Sequence, residues 1–263
     1  MNNIRIDTRC MYFAIVLVAA PFALRAQQPV APKPADTEIW APIPRVVTPG
    51  ATNSDAPSDA IVLFGGKNLD EWVSNTTGQP AAWTLEDGGI FTVNKKAGDI
   101  KTKRTFRNFQ LHVEWKIPLG ITGASQSRGN SGVFLGHLGN MGYELQILDS
   151  YENKTYVNGQ AGSVYKQNPP LVNASRKPGE WQTYEVIWTA PTFNGDGSLA
   201  TPARETVFHN GVLVQNDFIL KGVTKNAGIP EYKAHGALPI LLQAHGDPSA
   251  PVSFRNMWLR ELQ

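Results

Sequence analysis

The sequence predicts an all-β protein, an antiparallel β-sandwich with little helix. The 263-residue chain contains 24 glycines and 19 prolines, which favour turns over long helices. About ten short runs of apolar, β-branched and aromatic residues are separated by Gly, Pro and Asn, as in sandwiches and jelly rolls. No stretch has the long 3.6-residue periodicity of an amphipathic helix.

The first segment, residues 1 to 26, has the pattern of a signal peptide. Arg5 and Arg9 form a basic start, and an apolar run from Met11 to Leu24 is too short to span a membrane comfortably. Ala26 offers a small residue for cleavage before Gln27. We therefore expect a secreted or periplasmic mature protein with no membrane attachment after cleavage, and a retained N-terminal anchor is the alternative.

Charge and cysteine content argue against a nucleic-acid-binding protein and against a disulfide-bonded one. Three of the 24 basic and one of the 22 acidic residues lie in the leader, which leaves 21 of each in the mature chain. A neutral chain lacks the basic surface that nucleic acids require, so we expect no nucleic-acid partner. The single cysteine, Cys10, also lies in the leader. The mature protein therefore has no disulfide.

Residues 27 to 58 are rich in Pro and Ala, which is typical of an extended linker. Trp40, Ile43, Val46 and Val47 are more apolar than a linker needs, so this segment can also be an N-terminal strap on the domain. No repeat or further change in composition follows. Residues 59 to 263 are therefore predicted to form one domain.

Alternation of side chains predicts the strands of this domain. In the run from Gln110 to Ile117, the apolar residues Leu111, Val113, Trp115 and Ile117 alternate with polar ones and should face the core. Further strands are predicted at 61–64, 90–93, 133–136, 143–148, 183–189, 238–243 and 252–262. In the last of these, strict alternation places Phe254, Asn256 and Trp258 on one face.

The stretch from Thr206 to Gln215 predicts a β-hairpin. Its centre, Asn210-Gly211, suits a two-residue type I′ turn, because both residues tolerate positive φ.

The central candidates for chemistry lie in the strand YELQILD. Period-two geometry places Glu144 and Gln146 on one face, an acid beside an amide, which suits a sugar-reading surface. We expect Glu144 to act as a base or a metal ligand and Gln146 to bind a hydroxyl. The alternative is a solvated polar face. Asp149 ends the strand, and it either turns into the site or caps a turn.

Other candidates come from distant parts of the chain. Glu114 lies between His112 and Lys116 at period two, so it is either a tuned acid or part of a salt-bridged outer face. Lys103, in the turn before this strand, is either an ordinary surface residue or a cation that polarises a substrate oxygen. His245, in QAHGDP, lies in a Gly- and Pro-bounded segment typical of functional loops, with Gln243 two residues earlier.

Three polar residues near the central strands are further candidates for substrate binding: Asn130 in GNSGVFL, and Gln160 and Lys166 in the loop after YELQILD. No cofactor is required by any motif. A single divalent cation such as calcium, held by Glu144 or Asp149, is compatible with the scattered carboxylates.

Several phrases together resemble one known family. They are AIVLFGGKNLDEW, DIKTKRTFRNFQLHVEWKIP, GNSGVFL, YELQILDSY, GQAGSVYKQNPPLVNASRKPGEWQTYEVIW, TVFHNGVLVQN and LLQAHGDPSAPVSFRNMWLREL. In this order they are similar to the 3-keto-disaccharide hydrolase family, formerly a domain of unknown function. The resemblance implies a concanavalin A-like jelly roll and cleavage of glycosides whose C3 hydroxyl a partner sugar 3-dehydrogenase has oxidised.

A ketone at C3 acidifies the hydrogen on C2, so the group on C1 can leave by elimination. Such a site needs a base near C2, an acid near the glycosidic oxygen and a donor near the C3 oxygen.

Two alternative functions remain open. A conventional glucanase would need paired carboxylates on one face, and a non-catalytic carbohydrate-binding module would use many of the same side chains without turnover.

Overall fold

The computed structural model describes residues 31–262, so the predicted signal peptide lies outside the described residues. The chain divides into two compact units, Met1–Arg45 and Val46–Gln263. The described part of the first unit contains one 3-10 turn, Pro34–Thr37, and its apolar side chains, including Trp40 and Ile43, are exposed. None of the helices between residues 31 and 262 is long and apolar enough to cross a membrane.

The regular secondary structure of the second unit is almost entirely β-strand, which confirms the predicted fold class. The strands are β1 (Ile61–Phe64), β2 (Trp72–Ser74), β3 (Thr84–Glu86), β4 (Ile90–Thr92), β5 (Ile100–Thr102), β6 (Phe109–Lys116), β7 (Ser131–Leu138), β8 (Met141–Ile147), β9 (Trp181–Thr189), β10 (Thr192–Phe193), β11 (Leu199–Thr201), β12 (Arg204–His209), β13 (Val212–Ile219), β14 (Leu241–Leu242) and β15 (Ser253–Glu261). Two 3-10 turns, Ser125–Ser127 and Val157–Gly159, interrupt the loops.

Two antiparallel sheets form the sandwich. The larger has eight strands in the order β13-β12-β9-β6-β15-β4-β3, with β1 also paired to β15. The smaller has five strands in the order β2-β5-β14-β7-β8, and β10 and β11 form a separate ribbon. Some neighbours are consecutive in sequence, such as β7 and β8, but others are distant, such as β6 and β15 or β5 and β14. The chain therefore crosses repeatedly between the sheets, as it does in a jelly roll.

The core lies between the two sheets and follows the predicted alternation. Leu111, Val113 and Trp115 of β6 are fully buried, and so are Leu145 and Ile147 of β8. The hairpin is confirmed as well, because Asn210 and Gly211 have φ of 53° and 79° at a two-residue turn.

Strict alternation in the last strand is wrong. The pairing of β15 with β6 shifts between Arg255 and Trp258, where Asn256 takes a positive φ of 42°. A bulge of this kind inserts one residue and reverses the faces that follow it. Phe254, Met257 and Leu259 therefore belong to the core, whereas the Trp258 indole donates to the Ser54 carbonyl at 2.9 Å.

Residues 46 to 58 run along this part of the domain. The Ser54 carbonyl also accepts a hydrogen bond from Asn256 Nδ2 at 2.9 Å. The Thr48 amide is bonded to the Ser58 hydroxyl at 2.9 Å. This short stretch is therefore tied to the outer face of the larger sheet.

The predicted strand at 238–243 is reduced to the two residues of β14. Pro239 cannot donate to a ladder, which shortens regular pairing at that end. At the other end, the Gln243 amide donates to the Gly132 carbonyl at 3.0 Å. The chain then leaves the sheet and carries His245 above its outer face.

Candidate functional site

A polar cleft of about 250 Å³ opens on the outer face of the five-stranded sheet. The strands β7 and β8, the end of β14 and two loops contribute its walls. The lining residues are Asn130, Phe134, Asn140, Met141, Glu144, Gln146, Tyr165, Thr224, Asn226, Gln243 and His245. Five of the predicted site residues therefore meet in one cleft: Asn130, Glu144, Gln146, Gln243 and His245.

Strand alternation on β8 delivers Glu144 and Gln146 to this face. Their neighbours Tyr143, Leu145 and Ile147 are fully buried in the core. On β7, Gly132 pairs with Gln146, and a Cβ added at Gly132 would lie 2.7 Å from Glu144 Oε1. Glycine at this position therefore makes room for the carboxyl group of Glu144.

Glu144 is buried to an unusual degree for an acid, with 5% of its surface exposed. Burial, with a smaller contribution from the negative charge of Asp99, raises the pKa of Glu144 to about 8. The carboxyl group is therefore protonated at neutral pH. A protonated acid in a sugar-sized cleft is suited to donate a proton.

His245 is held by a buried carboxylate. Its Nδ1 lies 3.1 Å from Asp247 Oδ2, and Asp247 is also bonded to Lys95 Nζ at 3.2 Å and to the Ser249 hydroxyl. Burial raises the pKa of Asp247, but hydrogen bonds from its neighbours outweigh burial and lower it. The Asp247 backbone amide also donates to Nδ1, at 3.2 Å. Within the described residues Nε2 makes no hydrogen bond, so this nitrogen is available to a ligand.

Amide side chains line the floor beside these two groups. Gln146 donates from Nε2 to Asn130 Oδ1 at 3.0 Å, and Asn130 donates to the Gln126 carbonyl at 2.9 Å. The Oε1 atoms of Gln146 and Gln243 are buried without a hydrogen-bond partner. An unpaired buried acceptor costs about 1–3 kcal/mol, which a ligand hydroxyl can recover by donating to it.

One rim of the cleft is formed by segments that cover the free edge of β8. The Tyr165 amide donates to the Glu144 carbonyl at 3.0 Å, and the Glu144 amide donates to the Thr224 hydroxyl at 3.1 Å. Lys166 Nζ donates to the Asn226 carbonyl at 2.9 Å. The loops around residues 165 and 225 are thereby joined beside Glu144, and Lys166 lies at the rim.

Residues 59–260 match the sequence profile of the 3-keto-alpha-glucoside-1,2-lyase-like domain. The chain belongs to this family. It is 56% identical to a crystallised candidate glycosyl hydrolase from Parabacteroides distasonis, with a TM-score of 0.82 over 88% of this chain and 97% of that one. A second crystallised candidate glycosyl hydrolase from the same organism has 22% identity and a TM-score of 0.57 over 78% of this chain and 94% of that one, a likeness of fold.

A curated relative of the family is the 3-keto-disaccharide hydrolase of Bacteroides thetaiotaomicron. It is 26% identical over 164 residues, which is 50% of this chain and 54% of the relative. The chain thus matches about half the length of this relative.

The structure does not bring every predicted site residue of this family member to the cleft. Asp149 is fully buried, and its carboxylate accepts from Arg128 Nε at 2.6 Å and from the Tyr151 amide at 3.1 Å. It caps the turn after β8, the alternative that the sequence left open. Lys103 is exposed and Gln160 ends a 3-10 turn, and neither lines the cleft.

Glu114 lies on the opposite side of the sandwich, on the outer face of the eight-stranded sheet. Its carboxylate accepts from Arg255 Nε at 2.6 Å and from Asn256 Nδ2 at 2.8 Å, and it lies 3.4 Å from His112 Nε2. We call Glu114, His112, Glu185, Arg255 and Asn256 the outer cluster. The suggestion that Glu114 is a tuned acid of the site is corrected, because its strand β6 and the strand β8 that carries Glu144 belong to different sheets.

The outer cluster holds His112 and Glu114 in their charged forms. Burial lowers the pKa of His112, but hydrogen bonds and charges from Glu114 and Glu185 raise it to about 9. Burial raises the pKa of Glu114, but bonds from His112, Asn256 and Arg255 lower it to about 2. This is the salt-bridged outer face that the sequence offered as an alternative.

No group of three or more His, Cys, Asp or Glu side chains within residues 31–262 is arranged to hold a metal ion. Glu144 and Asp149, the pair suggested for calcium, have separate surroundings, since Asp149 is paired with Arg128.

Sequence reasoning missed two acids that act beside the cleft. Asp247 lies two residues after His245, a spacing that could have suggested an orienting carboxylate. Asp99 lies just before β5, and only the pairing of β5 with β14 brings it near the cleft. A strand of three residues gives no such signal in the sequence.

Proposed function

We propose that the protein is a glycoside-cleaving enzyme that acts on 3-keto-glycosides, including 3-keto-disaccharides, by elimination at C2 and C1 followed by hydration. The observation that carries this proposal is the meeting of a protonated acid, Glu144, and an Asp-held imidazole, His245, in one polar cleft. Family membership and the names of the relatives from Parabacteroides and Bacteroides support it.

In the elimination step, His245 Nε2 removes the hydrogen on C2, whose acidity the C3 ketone raises. The electron pair from the C2–H bond is delocalised into the ketone as an enolate and then forms the C1–C2 double bond. The C1–O bond breaks, and the leaving oxygen takes the proton of Glu144. The products are an alcohol and an unsaturated keto sugar, with His245 protonated and Glu144 ionised.

The hydration step restores the enzyme. Ionised Glu144 removes a proton from a water molecule while the oxygen of that water adds to C1. His245, whose proton exchanges with solvent in the intermediate state, delivers a proton to C2. Atoms and charges then balance to hydrolysis of the glycosidic bond. The same two groups exchange the roles of acid and base between the steps, as microscopic reversibility requires.

The enolate oxygen at C3 needs a hydrogen-bond donor, and Gln243 is suited to provide it. Within the described part of the chain, the Gln243 side chain makes no hydrogen bond, so its amide is free to meet a ligand. Preorganised donors of this kind typically contribute about 2.7–4 kcal/mol to stabilising an oxyanion. Gln146 and Asn130 then read hydroxyl groups on the same ring.

The two rivals fit the cleft less well. Glu144 is the one carboxylate among the residues that line it, whereas a conventional glucanase needs two carboxyl groups about 5–9.5 Å apart. A carbohydrate-binding module has no need of an acid with a pKa near 8, because burying it destabilises the fold.

The test compares 3-keto-glucosides with the matching ordinary glucosides in deuterated water. We expect release of the alcohol from the keto sugar alone, with deuterium at C2 of the product above the level of an enzyme-free control. Cleavage of the ordinary glucoside would support a glucanase, and binding without turnover would support a binding module. Full retention of the C2 hydrogen, together with equal cleavage rates for the keto sugar and its C2-deuterated form, would contradict elimination. Assays with and without a chelator decide whether calcium is needed.

We propose further that the enzyme is exported, because residues 1 to 26 have the pattern of a signal peptide. We also propose that it acts after a sugar 3-dehydrogenase, because its substrate must first be oxidised at C3. N-terminal sequencing of the protein from the periplasm or medium tests export, with Gln27 as the expected first residue. A full-length cytoplasmic protein would contradict it.

A further inference from the structure

Asp99 bonds to the segment that carries His245, and its own backbone is held on both sides. Its own carbonyl accepts from the Asn75 amide at 2.9 Å, and the preceding Gly98 carbonyl accepts from the Trp83 indole at 2.8 Å. The next residue, Ile100, pairs with Leu242 of β14. The backbone at Asp99 is therefore held by strand pairing and by a buried tryptophan.

The Asp99 carboxylate supports the segment that carries His245. Regular pairing of β14 ends at Leu242, three residues before His245. Beyond that point the Ala244 amide donates to Asp99 Oδ1 at 2.7 Å. An amide bonded to a carboxylate is stronger than an amide bonded to a neutral oxygen, so this contact fixes the backbone immediately before His245.

The same carboxylate is electrostatically coupled to Glu144. Asp99 is the charged group that adds to burial in keeping Glu144 protonated. The other titratable groups around the pair are Tyr165 and His245 in the cleft wall, Lys166 at the rim, and Lys101 and His137 beside Asp99. Lys101 opposes Asp99 in its effect on His137, so Asp99 is the negative member of this group.

We propose that Asp99 is a positioning residue of the site, which aligns His245 through the Ala244 amide and brings a negative charge to this side of the cleft. This inference rests on the proposed function. It assigns to one side chain two separable effects, a hydrogen bond and a negative charge.

Two substitutions separate these effects. Asp99→Asn keeps an oxygen for the Ala244 amide but removes the charge, and Asp99→Ala removes both. For Asp99→Asn we expect the high-pH limb of the kcat profile to move to lower pH, with kcat at pH 8 reduced about threefold to tenfold. For Asp99→Ala we expect a further loss of about tenfold in kcat with little change in KM, since the base is misaligned. Asp217→Asn, an exposed carboxylate paired with Arg204 on the larger sheet, is the matched control.

A direct titration makes the inference independent of activity. In protein labelled with ¹³C at glutamate carboxyl carbons, the resonance lost in Glu144→Gln identifies Glu144, and its midpoint should fall in Asp99→Asn. An unchanged midpoint and pH profile would overturn the electrostatic effect, and equal kcat values for both Asp99 variants would overturn the positioning effect. If the wild type does not cleave the keto sugar, the proposed function fails, but the titration still decides the role of Asp99 toward Glu144.

Discussion

The two outer faces of the sandwich both bury ionisable side chains, but they treat them in opposite ways. In the outer cluster on the eight-stranded sheet, Glu114 is bonded to His112, Arg255 and Asn256, and its pKa falls to about 2. In the cleft on the five-stranded sheet, Glu144 has no cationic partner among residues 31–262, and its pKa rises to about 8. Both carboxyl groups are 5% exposed, so burial alone does not explain the difference.

This difference separates carboxyl groups that stabilise the fold from carboxyl groups that can exchange a proton with a substrate. A buried carboxylate with a cation and two further donors is held in one charge state and contributes to stability. A buried carboxyl group without partners sits near its own midpoint at neutral pH and can exchange a proton. Substitution of Glu144 on the five-stranded sheet should therefore lower activity without lowering stability. Substitution of Glu114 on the eight-stranded sheet should lower stability without lowering activity.

The largest expected effect is at Glu144. In Glu144→Gln the side chain keeps its shape but cannot exchange a proton, so kcat should fall about 10²–10⁴-fold. Its melting temperature should stay equal to or rise above that of the wild type, because a group that resists ionisation has been removed. Steady-state kinetics and thermal unfolding measure the two effects. Near-full turnover in a folded variant would place the acid elsewhere.

A somewhat smaller loss is expected at His245. His245→Ala removes the base and should lower kcat about 10²–10³-fold. Asp247→Asn keeps the imidazole but loses the carboxylate that holds Nδ1, so its kcat should lie between that of His245→Ala and the wild type. A matched control is His235→Ala, whose imidazole is bonded to Tyr143 outside the cleft and should leave kcat unchanged. If His235→Ala and His245→Ala lose activity equally, the base is not identified.

Glu205 is an exception to this rule. It is a buried carboxyl group without partners among the described residues, but it lies in the core and not in the cleft. It is 1% exposed, both of its carboxyl oxygens lack partners, and burial raises its pKa to about 8. A raised carboxyl pKa means that stability is present at low pH and is lost as pH rises from about 4.5 toward 8. Glu205→Gln removes this loss.

We therefore expect the difference in unfolding free energy between Glu205→Gln and wild type to grow by about 3 kcal/mol from pH 5 to pH 8. Denaturant unfolding at the two pH values measures it. Activity should be unchanged, since Glu205 does not line the cleft. A pH-independent difference would mean that Glu205 ionises freely in the folded protein.

The sequence was sufficient for what depends on local pattern. Alternation in Tyr143 to Leu148 placed Glu144 and Gln146 on the same face, and alternation in Gln110 to Ile117 placed Leu111 and Val113 in the core. The structure confirms both. The Asn210-Gly211 turn was likewise local. In each case the physical cause, period-two geometry or tolerance of positive φ, acts within a few residues.

Features that depend on distant partners could not be predicted. Arg255 meets Glu114 across 141 positions of sequence, and Asp99 meets Ala244 across 145. Without those partners, Glu114 and Glu144 look alike in sequence, each a Glu on the polar side of an alternating strand. The bulge at Asn256 was hidden for the same reason, because its register is set against β6.

The smallest expected effect is the loss of stability in Glu114→Gln, on the outer face of the eight-stranded sheet. Glu114→Gln should lower the free energy of unfolding by about 2 kcal/mol, less than the 3–5 kcal/mol typical of a fully buried pair, because the Arg255 side chain remains 39% exposed. Its pKa in the folded protein is depressed, so the stability that Glu114 contributes is present above about pH 4.5 and is lost as pH falls toward 2. The variant and the wild type should therefore converge in stability below pH 3 while differing at pH 6. Because no part of the outer cluster reaches the cleft, kcat and KM of the folded variant should match those of the wild type. A variant that keeps its stability but loses turnover would place chemistry on the outer face and reverse the assignment of the two faces.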